Sequence, residues 1–301
     1  MSHRRCIVCD GEGPFALLFQ QGPYRMVRCP RCRLVFQDPQ PGDDVLAGSY
    51  YHDAEFTKAL LGPLREITLA RAREKLPLLR RVGALRPGMR MLDVGCSSGA
   101  WLEVGAAEGL RGTGVEIGEA TSQAARQRGL EVLTGTLADV APALSERRFD
   151  LITFWDVLEH LPDPRRELRL AADLLAPNGL VAATFPNVEG LYPRLTYRLF
   201  ARRAGVWEYP ELPVHLYDFS PATASRLLDN EGYDTAAVVT FATPFEFYRE
   251  TTLSPERLGP GRRSLALRLG FDALRRAVYP LAALCRRGNA MFAAGRLRSR
   301  G

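Results

Sequence analysis

The pattern of residues 90–187 constrains the fold more than any other feature, because short apolar runs alternate there with amphipathic ones. The apolar runs predict strands, and they read MRMLDVG, GTGVEI, LEVLTG, FDLITFWD and LVAATFPN. The segments between them have the spacing of helices of roughly 10–15 residues. Apolar strands that alternate with such helices are typical of a parallel sheet covered on both faces. We therefore predict an α/β fold with a doubly wound, mostly parallel sheet.

Local signals set the expected ends of the later elements. The helix after the fourth strand should have Asp163 as its N-cap and Pro164 in its first turn, with Gly179 ending the turn that follows. The aromatic-rich stretch after Asn187, up to Phe219, is expected to be irregular. Beyond it, the sequence predicts a helix (221–232), a strand (235–243), a second helix (264–287) and a final strand (289–297).

Four of the six cysteines form two CxxC pairs near the N-terminus, separated by 19 residues, and they are Cys6, Cys9, Cys29 and Cys32. Two tight turns that each present two sulfurs suit a tetrahedral zinc site of the ribbon kind. We expect the zinc to replace a core that so short a module cannot build, rather than to contact nucleic acid or substrate. The isolated Cys96 and Cys285 are predicted to be packing residues.

These features predict three regions along the chain. Residues 1–42 form a zinc-ribbon module, residues 43–86 a helical linker, and residues 87–301 the main domain. Within the main domain, residues of about 188–219 are expected to form a cap over the substrate, and residues of about 264–287 a C-terminal helix.

The charge balance is mildly basic, with 40 basic residues, 34 acidic residues and a net charge of +6. Such an excess suits an anionic partner, but a mildly basic enzyme is the simpler interpretation. The N-terminus has no apolar stretch after its basic residues, and no apolar run approaches the roughly 20 residues of a membrane span. We therefore expect a soluble, cytoplasmic protein.

A glycine-rich turn follows the first predicted strand of the sheet. Gly95 and Gly99 would let the backbone approach a ligand, and Asp93 precedes them in the strand. About twenty residues on, Glu116 ends the second strand, where a carboxylate can accept hydrogen bonds from both ribose hydroxyls. This combination predicts a nucleoside-binding site, and a nicotinamide enzyme would also fit it.

Several motifs together resemble class I S-adenosylmethionine (SAM) methyltransferases, and they read LDVGCSSG, VEI, FDLITFWDVLEHLPDP, LLAPNGLVAATFPN and HLYDFSPATASRLLDNEGY. The pattern is similar to the ubiquinone-biosynthesis O-methyltransferases and covers roughly residues 86–255. The front end, with its CxxC pairs and Tyr50-Tyr51, resembles bacterial relatives with a zinc ribbon, many of which are associated with cell-surface glycans or secondary metabolites. The resemblance implies a seven-stranded Rossmann-like methyltransferase sheet.

The resemblance also implies the residues that bind the donor. Asp93, Gly95 and Gly99 would line the methionine end, and Glu116 would bind the ribose. Thr136 and Leu137 would border the adenine, and Cys96 and Trp155 complete the predicted set. Ser97 stands where many members have glycine, and Thr136 where an acid often holds the adenine amine.

Acceptor activation is predicted at the end of the fourth strand. If that turn is helical, Asp156, Glu159 and His160 fall on one face. His215 belongs to the stretch expected to cap the same rim. The set resembles the E-x-x-E-H…H metal site of some O-methyltransferases, with Asp156 replacing the first glutamate. Three roles stay open: a second divalent cation such as Mg²⁺, Mn²⁺ or Zn²⁺, a lone histidine base, or structural hydrogen bonds.

Two further segments bear on the acceptor. The aromatic and arginine side chains of residues 190–219 could stack rings or sugars and pair with phosphate or carboxylate. Apolar residues recur along the C-terminal helix at Leu267, Phe271, Leu274, Val278 and Leu281. We expect this stripe to pack on its own domain rather than to contact a membrane surface, with Pro280 shortening the helix.

The leading interpretation is a SAM-dependent O-methyltransferase for a small-molecule or glycan-type acceptor. In one version of this interpretation the acceptor is lipid-linked. A nucleic-acid methyltransferase ranks lower, because no basic run with interleaved aromatics traces a strand-binding groove. A non-catalytic zinc-ribbon protein that binds nucleic acid or a partner is disfavoured by the glycine turn and Glu116. An NAD-dependent oxidoreductase would leave the DVLEH segment without a role.

Overall fold

The computed structural model describes residues 5–42, 45, 58, 61–207, 209–242 and 262–298. The chain divides into two compact units. The ribbon unit comprises Met1–Pro41, Phe185–Ala224 and Val239–Met291, and the sheet unit comprises Gly42–Thr184, Ser225–Val238 and Phe292–Gly301. Tyr50 and Tyr51, which contributed to the family resemblance, lie outside the described residues.

The described strands are β1 (Ala16–Gln21), β2 (Tyr24–Arg28), β3 (Val35–Gln37), β4 (Arg90–Val94), β5 (Arg111–Glu116), β6 (Glu131–Thr134), β7 (Phe149–Trp155), β8 (Leu175–Pro186), β9 (Tyr217–Asp218), β10 (Tyr233–Phe241) and β11 (Ala290–Leu297). The described α-helices of six or more residues are α1 (Arg65–Glu74), α2 (Leu76–Arg81), α3 (Ala100–Ala107), α4 (Glu119–Gln127), α5 (Leu137–Leu144), α6 (Pro164–Leu174), α7 (Leu191–Thr196), α8 (Pro221–Asn230) and α9 (Arg262–Leu284).

The predicted sheet is confirmed, and it has seven strands in the order β10-β11-β8-β7-β4-β5-β6. β4 pairs in parallel with both β5 and β7, and β5–β6 and β7–β8 are parallel as well. Leu92, Ile152 and Phe154 are completely buried, as expected for strands covered on both faces. The order reverses at β4, and ligands of such sheets bind beyond the carboxyl ends of the strands at this point.

The helix after β7 ends earlier than the sequence predicted. Asp163 caps α6 as expected, since its side chain accepts a hydrogen bond from the Arg166 N–H at 3.0 Å. The helix stops at Leu174, however, and Leu175 already pairs with Phe149 of β7. Gly179 therefore lies within β8. The apolar pair Leu174-Leu175 fits a helix face and a sheet interior equally well, so sequence periodicity misplaced this end.

The stretch expected to be irregular is partly helical and supplies a strand to the ribbon sheet. It contains α7, a π-helical turn at Tyr197–Ala201 and a helical turn at Arg202–Ala204. Its residues Tyr217 and Asp218 form β9, which pairs antiparallel with β3 and completes the sheet β1-β2-β3-β9. A two-residue strand carries too short a pattern to be recognised in a sequence.

Trp207 is central to the core of the ribbon unit. Its indole N–H lies 3.3 Å from the Pro193 carbonyl and 3.2 Å from the Thr196 hydroxyl. Its ring packs at 5.7 Å on Phe19 of β1 and at 5.0 Å on Tyr197. The predicted cap segment and the cysteine module thus share one apolar core.

Helix α9 packs mainly within the ribbon unit, whereas the sequence analysis placed it in the main domain of residues 87–301. Phe271 and Val278 are buried, and Val278 belongs to a cluster with Tyr192 of α7. Two details differ from the prediction: Leu281 is exposed, and α9 continues past Pro280 to Leu284. Cys285 was predicted to be a packing residue but is exposed, because it follows the end of the helix. None of the described helices is long and apolar enough to span a membrane.

The packing of α9 can be tested by truncating one buried ring. We expect Phe271→Ala to lower the free energy of unfolding by about 3–5 kcal/mol, because Phe271 is fully buried and its ring lies 4.3 Å from that of Phe200. Leu269→Ala, at a residue that is 61% exposed, should change it by less than about 0.5 kcal/mol. Urea unfolding measures both, and equal losses would contradict this packing.

Candidate active site and cysteine cluster

The turn after β4 is closed tightly at the carboxyl end of the sheet. Gly95 and Gly99 have φ of +72° and +84°, a region that favours glycine. The N–H groups of Gly95 and Cys96 donate to the Val115 carbonyl at 2.8 and 3.0 Å. A Cβ at Gly95 would lie 2.6 Å from a methyl of Val157. Both the backbone conformation and the space therefore require glycine at position 95.

Glu116 is fixed beside this turn rather than solvated. Its carboxylate accepts hydrogen bonds from the Ser97 N–H at 2.8 Å and the Gly118 N–H at 2.7 Å, and the residue is buried. Burial raises the pKa of Glu116, against the hydrogen bonds from Gly118 and Ser97, which lower it. Ser97 holds φ of +50°, and this conformation presents its N–H to the carboxylate. A carboxylate held in this way keeps lone pairs for ribose hydroxyls.

Asp93 is a second buried carboxylate on the adjacent strand. The Thr153 hydroxyl donates to its Oδ1 at 2.7 Å. Burial raises the pKa of Asp93 to about 7, although the hydrogen bond from Thr153 and the charge of Lys75 oppose the shift. Asp93 therefore titrates near neutral pH, and a cationic ligand group beside it would favour the ionised form.

Lys75 is a site residue that the sequence analysis missed. It lies between α1 and α2, and its Nζ stands 5.1 Å from the centre of the Trp155 ring. Desolvation lowers the pKa of Lys75 to about 8, against the charges of Asp156 and Asp93, which raise it. No recognisable sequence motif surrounds Lys75 in the predicted linker. The one available signal was that Lys58 and Lys75 are the only lysines in a chain rich in arginine.

Aromatic rings line the same part of the sheet unit. Trp101 meets Trp155 edge-on at 5.4 Å, and Trp155 stacks on Phe292 at 6.4 Å. The indole nitrogens of Trp101 and Trp155 are buried, and neither has an acceptor among the described residues. Buried donors of this kind usually bind a polar group. Together with two fixed carboxylates and a glycine turn, they fit a zwitterionic nucleoside such as SAM.

Three further residues that were predicted to contact the donor also lie in the sheet unit. Thr136 is the N-cap of α5 and forms a capping box with Asp139, whose N–H donates to the Thr136 hydroxyl at 3.2 Å. Leu137 is buried in the first turn of that helix. Cys96 is buried against Gly114, where an added Cβ would lie 2.5 Å from its sulfur. The roles of these residues toward a donor stay predictions.

The condition for a shared face is not met, because Asp156, Glu159 and His160 do not lie on one α-helix. Asp156 has φ of +55° and precedes a 3₁₀ turn that covers only Leu158–His160. Its carboxylate lies 3.7 Å from a guanidinium nitrogen of Arg71. Burial would raise the pKa of Asp156, but the charges of Arg71 and Lys75 together hold it below its usual value. Asp156 thus already has two cations as partners.

Glu159 and His160 follow in the 3₁₀ turn of the sheet unit, with Glu159 fully buried and His160 partly exposed. His215 belongs to the ribbon unit and is buried there. Its Nε2 lies 3.5 Å from a carboxylate oxygen of Glu211, and its carbonyl accepts a hydrogen bond from Gln37 at 2.7 Å. Catalytic roles for these residues remain predictions.

The four paired cysteines converge in the ribbon unit. Their sulfurs lie within 4.8 Å of one another, with Cys6–Cys32 at 3.4 Å and Cys9–Cys29 at 3.5 Å. Tetrahedral zinc with Zn–S bonds of about 2.3 Å places sulfurs about 3.8 Å apart, so small shifts would complete such a site. In each turn the first cysteine carbonyl accepts the N–H of a residue with positive φ, Asp10 in one and Arg33 in the other.

The burial of Asp93 predicts a pH-dependent effect of removing its charge. Its native pKa of about 7 exceeds the unfolded value of 3.8, so the native state binds more protons and loses stability as pH rises between these values. Asp93→Asn should therefore gain roughly 2.6 kcal/mol more, relative to the unchanged chain, at about pH 8 than at about pH 5.

Urea unfolding at both pH values checks this expectation. Asp139→Asn serves as the control of opposite sign, because hydrogen bonds from Thr136 lower the pKa of Asp139. That variant should be less stable than the unchanged chain at both pH values. A stability difference for Asp93→Asn that does not change with pH would contradict the assignment of a neutral-range pKa to Asp93.

Comparisons with known proteins agree with this geometry. The family model described as a methyltransferase domain matches residues 67–238. The ubiquinone biosynthesis O-methyltransferases of Stutzerimonas stutzeri and Hahella chejuensis are 35% and 36% identical over 99 and 121 residues, which are 31% and 38% of this chain. The matches span 43% and 48% of those relatives, less than half of their length.

Solved structures give the same fold. A SAM-dependent methyltransferase from Archaeoglobus fulgidus superposes with a TM-score of 0.53 at 18% identity, covering 81% of this chain and all of that one. Magnesium protoporphyrin IX methyltransferase from Synechocystis, with bound S-adenosylhomocysteine, reaches 0.54 at 14% identity and covers 85% of this chain and all of that one. Since the family model covers more than half of the sequence, the chain belongs to the methyltransferase-domain family.

Proposed function

We propose that this protein transfers a methyl group from SAM to a hydroxyl of a small-molecule acceptor. The observation that carries the proposal is the fixed carboxylate of Glu116, held by two backbone N–H groups beside the glycine turn at the switch point of the sheet. The curated relatives that match part of the chain are O-methyltransferases by name, which supports oxygen as the acceptor atom.

The sheet unit offers a partner for the ribose, the α-ammonium group and the α-carboxylate of the donor. Glu116 would accept hydrogen bonds from the ribose hydroxyls, and Asp93 would pair with the α-ammonium group. Lys75 would pair with the α-carboxylate, since its ammonium group lies near Asp93 and is desolvated. When bound, SAM supplies a methyl group on a sulfonium, which is already activated for displacement. The protein then has to orient the acceptor and remove its proton.

Among the open roles at the acceptor, we favour His160 as a base over a cation that needs Asp156. The carboxylate of Asp156 is paired with Arg71 and close to Lys75, so a metal ion would have to displace two cations. Asp156 also lies outside the turn that carries Glu159 and His160. A neutral imidazole can take a proton from a phenol or sugar hydroxyl and release it to water.

The ribbon unit would hold zinc and contribute to acceptor binding. Four converging sulfurs without disulfides have the ligand set of a closed structural site. The cap segment next to them is rich in aromatic rings, which suits a cyclic or glycan-type acceptor. Leu269, Leu281 and Leu284 are exposed on or at the end of α9, so we propose them as the contact of the protein with a membrane surface if the acceptor is lipid-linked in the cytoplasm.

Donor binding is the first test of this function. We expect S-adenosylhomocysteine to bind the full chain in calorimetry, and Glu116→Ala to weaken it at least about tenfold, because two ribose hydroxyls lose a charged acceptor. The matched control is Glu119→Ala, three residues on, whose exposed carboxylate pairs with Arg126. Folded protein that does not bind S-adenosylhomocysteine would refute the proposal.

The base can be separated from a metal by activity measurements on hydroxylated phenols and sugars. We expect His160→Ala to lower kcat about 10²–10⁴-fold while donor binding stays unchanged, because only proton removal is lost. Chelation with EDTA should leave kcat of the unchanged chain as it was, provided that the ribbon zinc is retained. Activity that disappears with EDTA and returns with Mg²⁺ would instead establish a catalytic cation.

A further inference from the structure

Three charged side chains of the sheet unit form a series of contacts that ends on the glycine turn. Arg65 begins α1, Glu103 lies in the first turn of α3, and Arg128 follows α4. We call these three residues the charged bridge. The Nη2 of Arg128 donates a hydrogen bond to the carbonyl oxygen of Ser98, which lies in the turn. The bridge therefore connects α1, α3 and the end of α4 with the turn.

Each carboxylate oxygen of Glu103 accepts a hydrogen bond from one arginine of the bridge. Arg128 Nε donates to Glu103 Oε1 at 2.9 Å, and Arg65 Nη2 donates to Glu103 Oε2 at 2.7 Å. The side chains of Arg65, Glu103 and Arg128 are 32%, 26% and 30% exposed, so water screens their charges only in part. A planar guanidinium that gives one N–H to Glu103 and another to Ser98 has a fixed orientation. Glu103 therefore directs Arg128 to the Ser98 carbonyl.

The Ser98 carbonyl is a sensitive point of the turn. Its oxygen and the Gly99 N–H belong to the same planar peptide group, and this N–H donates to another carbonyl of the turn at 2.9 Å. Gly99 has φ of +84°, and glycine has the widest backbone freedom of any residue, so contacts to this peptide group limit how far the turn can move. Ser97, whose N–H donates to Glu116, directly precedes Ser98. A guanidinium contact at Ser98 thus restrains the part of the turn that orients the Glu116 carboxylate.

Neither apolar packing nor general stability accounts for this contact. Ala125 and Leu130 lie against Gly99, but apolar contacts are non-directional and do not set the orientation of a peptide group. Ion pairs with this degree of exposure contribute little to stability. Arg128 differs from an ordinary ion pair because its second N–H ends on a backbone carbonyl of the turn, where a hydrogen bond has a preferred direction. The contact is therefore suited to fixing the turn.

We propose that Arg128 is a positioning residue of the donor site and that the rest of the charged bridge acts through it. By holding the Ser98 carbonyl, Arg128 keeps the turn in the conformation in which the Ser97 N–H orients the Glu116 carboxylate. A donor then meets a turn that is already ordered, so binding costs less conformational entropy. The inference rests on the proposed function for donor binding, whereas the restraint on the turn stands on contacts within the sheet unit.

Calorimetry with S-adenosylhomocysteine on the full chain tests the proposal. Arg128→Met should weaken binding about three- to tenfold, because the turn loses a charge-assisted hydrogen bond. Glu103→Gln should weaken binding less, and Arg65→Met least, because each lies one contact further from the turn. The matched control is Arg80→Met, which removes an ion pair of 2.7 Å with Glu108 at the other end of α3 and should leave the affinity unchanged.

Three readouts separate positioning from a general loss of stability. Amide hydrogen exchange, followed by NMR, should become faster at Ser97 and Gly99 in Arg128→Met but not in Arg80→Met. Glu103→Gln should cost no further affinity once Arg128→Met is present, because Glu103 reaches the turn only through Arg128. Arg128→Lys should restore only part of the affinity, since a single ammonium group lacks the planar fork that reaches both acceptors.

Thermal melting shows whether Arg128→Met is folded; if it is not, Arg128→Lys and Glu103→Gln decide the question. The proposal is overturned by folded Arg128→Met that binds as tightly as the unchanged chain, by Arg80→Met that weakens binding equally, or by additive effects of Arg128→Met and Glu103→Gln.

The failure of the proposed function has a different signature. An unchanged, folded chain that does not bind S-adenosylhomocysteine refutes the methyltransferase function, and amide exchange then decides on the restraint alone. Faster exchange at Ser97 and Gly99 in Arg128→Met supports the restraint, and equal exchange overturns it. Donor binding that Arg128→Met leaves unchanged refutes the positioning role and leaves the methyltransferase function in place.

Discussion

The arrangement of the sheet unit depends on two carboxylates that are buried at the ends of neighbouring parallel strands. Asp93 and Glu116 lose most of their contact with water, and burial raises the pKa of both. Each is retained because neighbouring groups offset that cost. Backbone N–H groups of Ser97 and Gly118 donate hydrogen bonds to Glu116. The Thr153 hydroxyl donates to Asp93, and the charge of Lys75 favours the ionised form of Asp93. The glycine turn, the strand β7 and the junction of α1 and α2 are all needed to place these groups.

The same arrangement explains which residue types the turn after β4 can accept. Gly95 must be glycine for reasons of both conformation and space, and Ser97 accepts a left-handed conformation that directs its N–H to Glu116. A small residue suffices at position 97 because the strain is offset by a hydrogen bond to a charged acceptor. Serine in place of the common glycine at position 97 is thus compatible with a fixed Glu116 carboxylate.

The sequence predicted the sheet, the glycine turn and the cysteine cluster because each depends on local pattern. Strand and helix periods are written in consecutive residues, and CxxC spacing dictates a turn. Lys75 and β9 could not be predicted, because their roles arise only when distant segments meet. The end of α6 failed for another reason: Leu174 and Leu175 are apolar in either element. The sequence could not show that Asp156 lies off the turn of Glu159 and His160, because its positive φ interrupts a spacing that would otherwise be helical.

The ribbon sheet includes a strand from late in the chain, and this has a consequence for synthesis. Gln37 donates to the carbonyls of Pro213 and His215, which are 176 and 178 residues away, and β9 follows directly. At translation rates of roughly 5–20 residues per second, β3 waits about 10–40 s on the ribosome for its partner strand. During that interval the ribbon sheet can form only its β1–β2 and β2–β3 pairs, and a metal ion in the cysteine turns would be a second local means of ordering these residues. If the cysteines hold zinc as proposed, zinc supplied during translation would order this part of the chain before its partner strand is made.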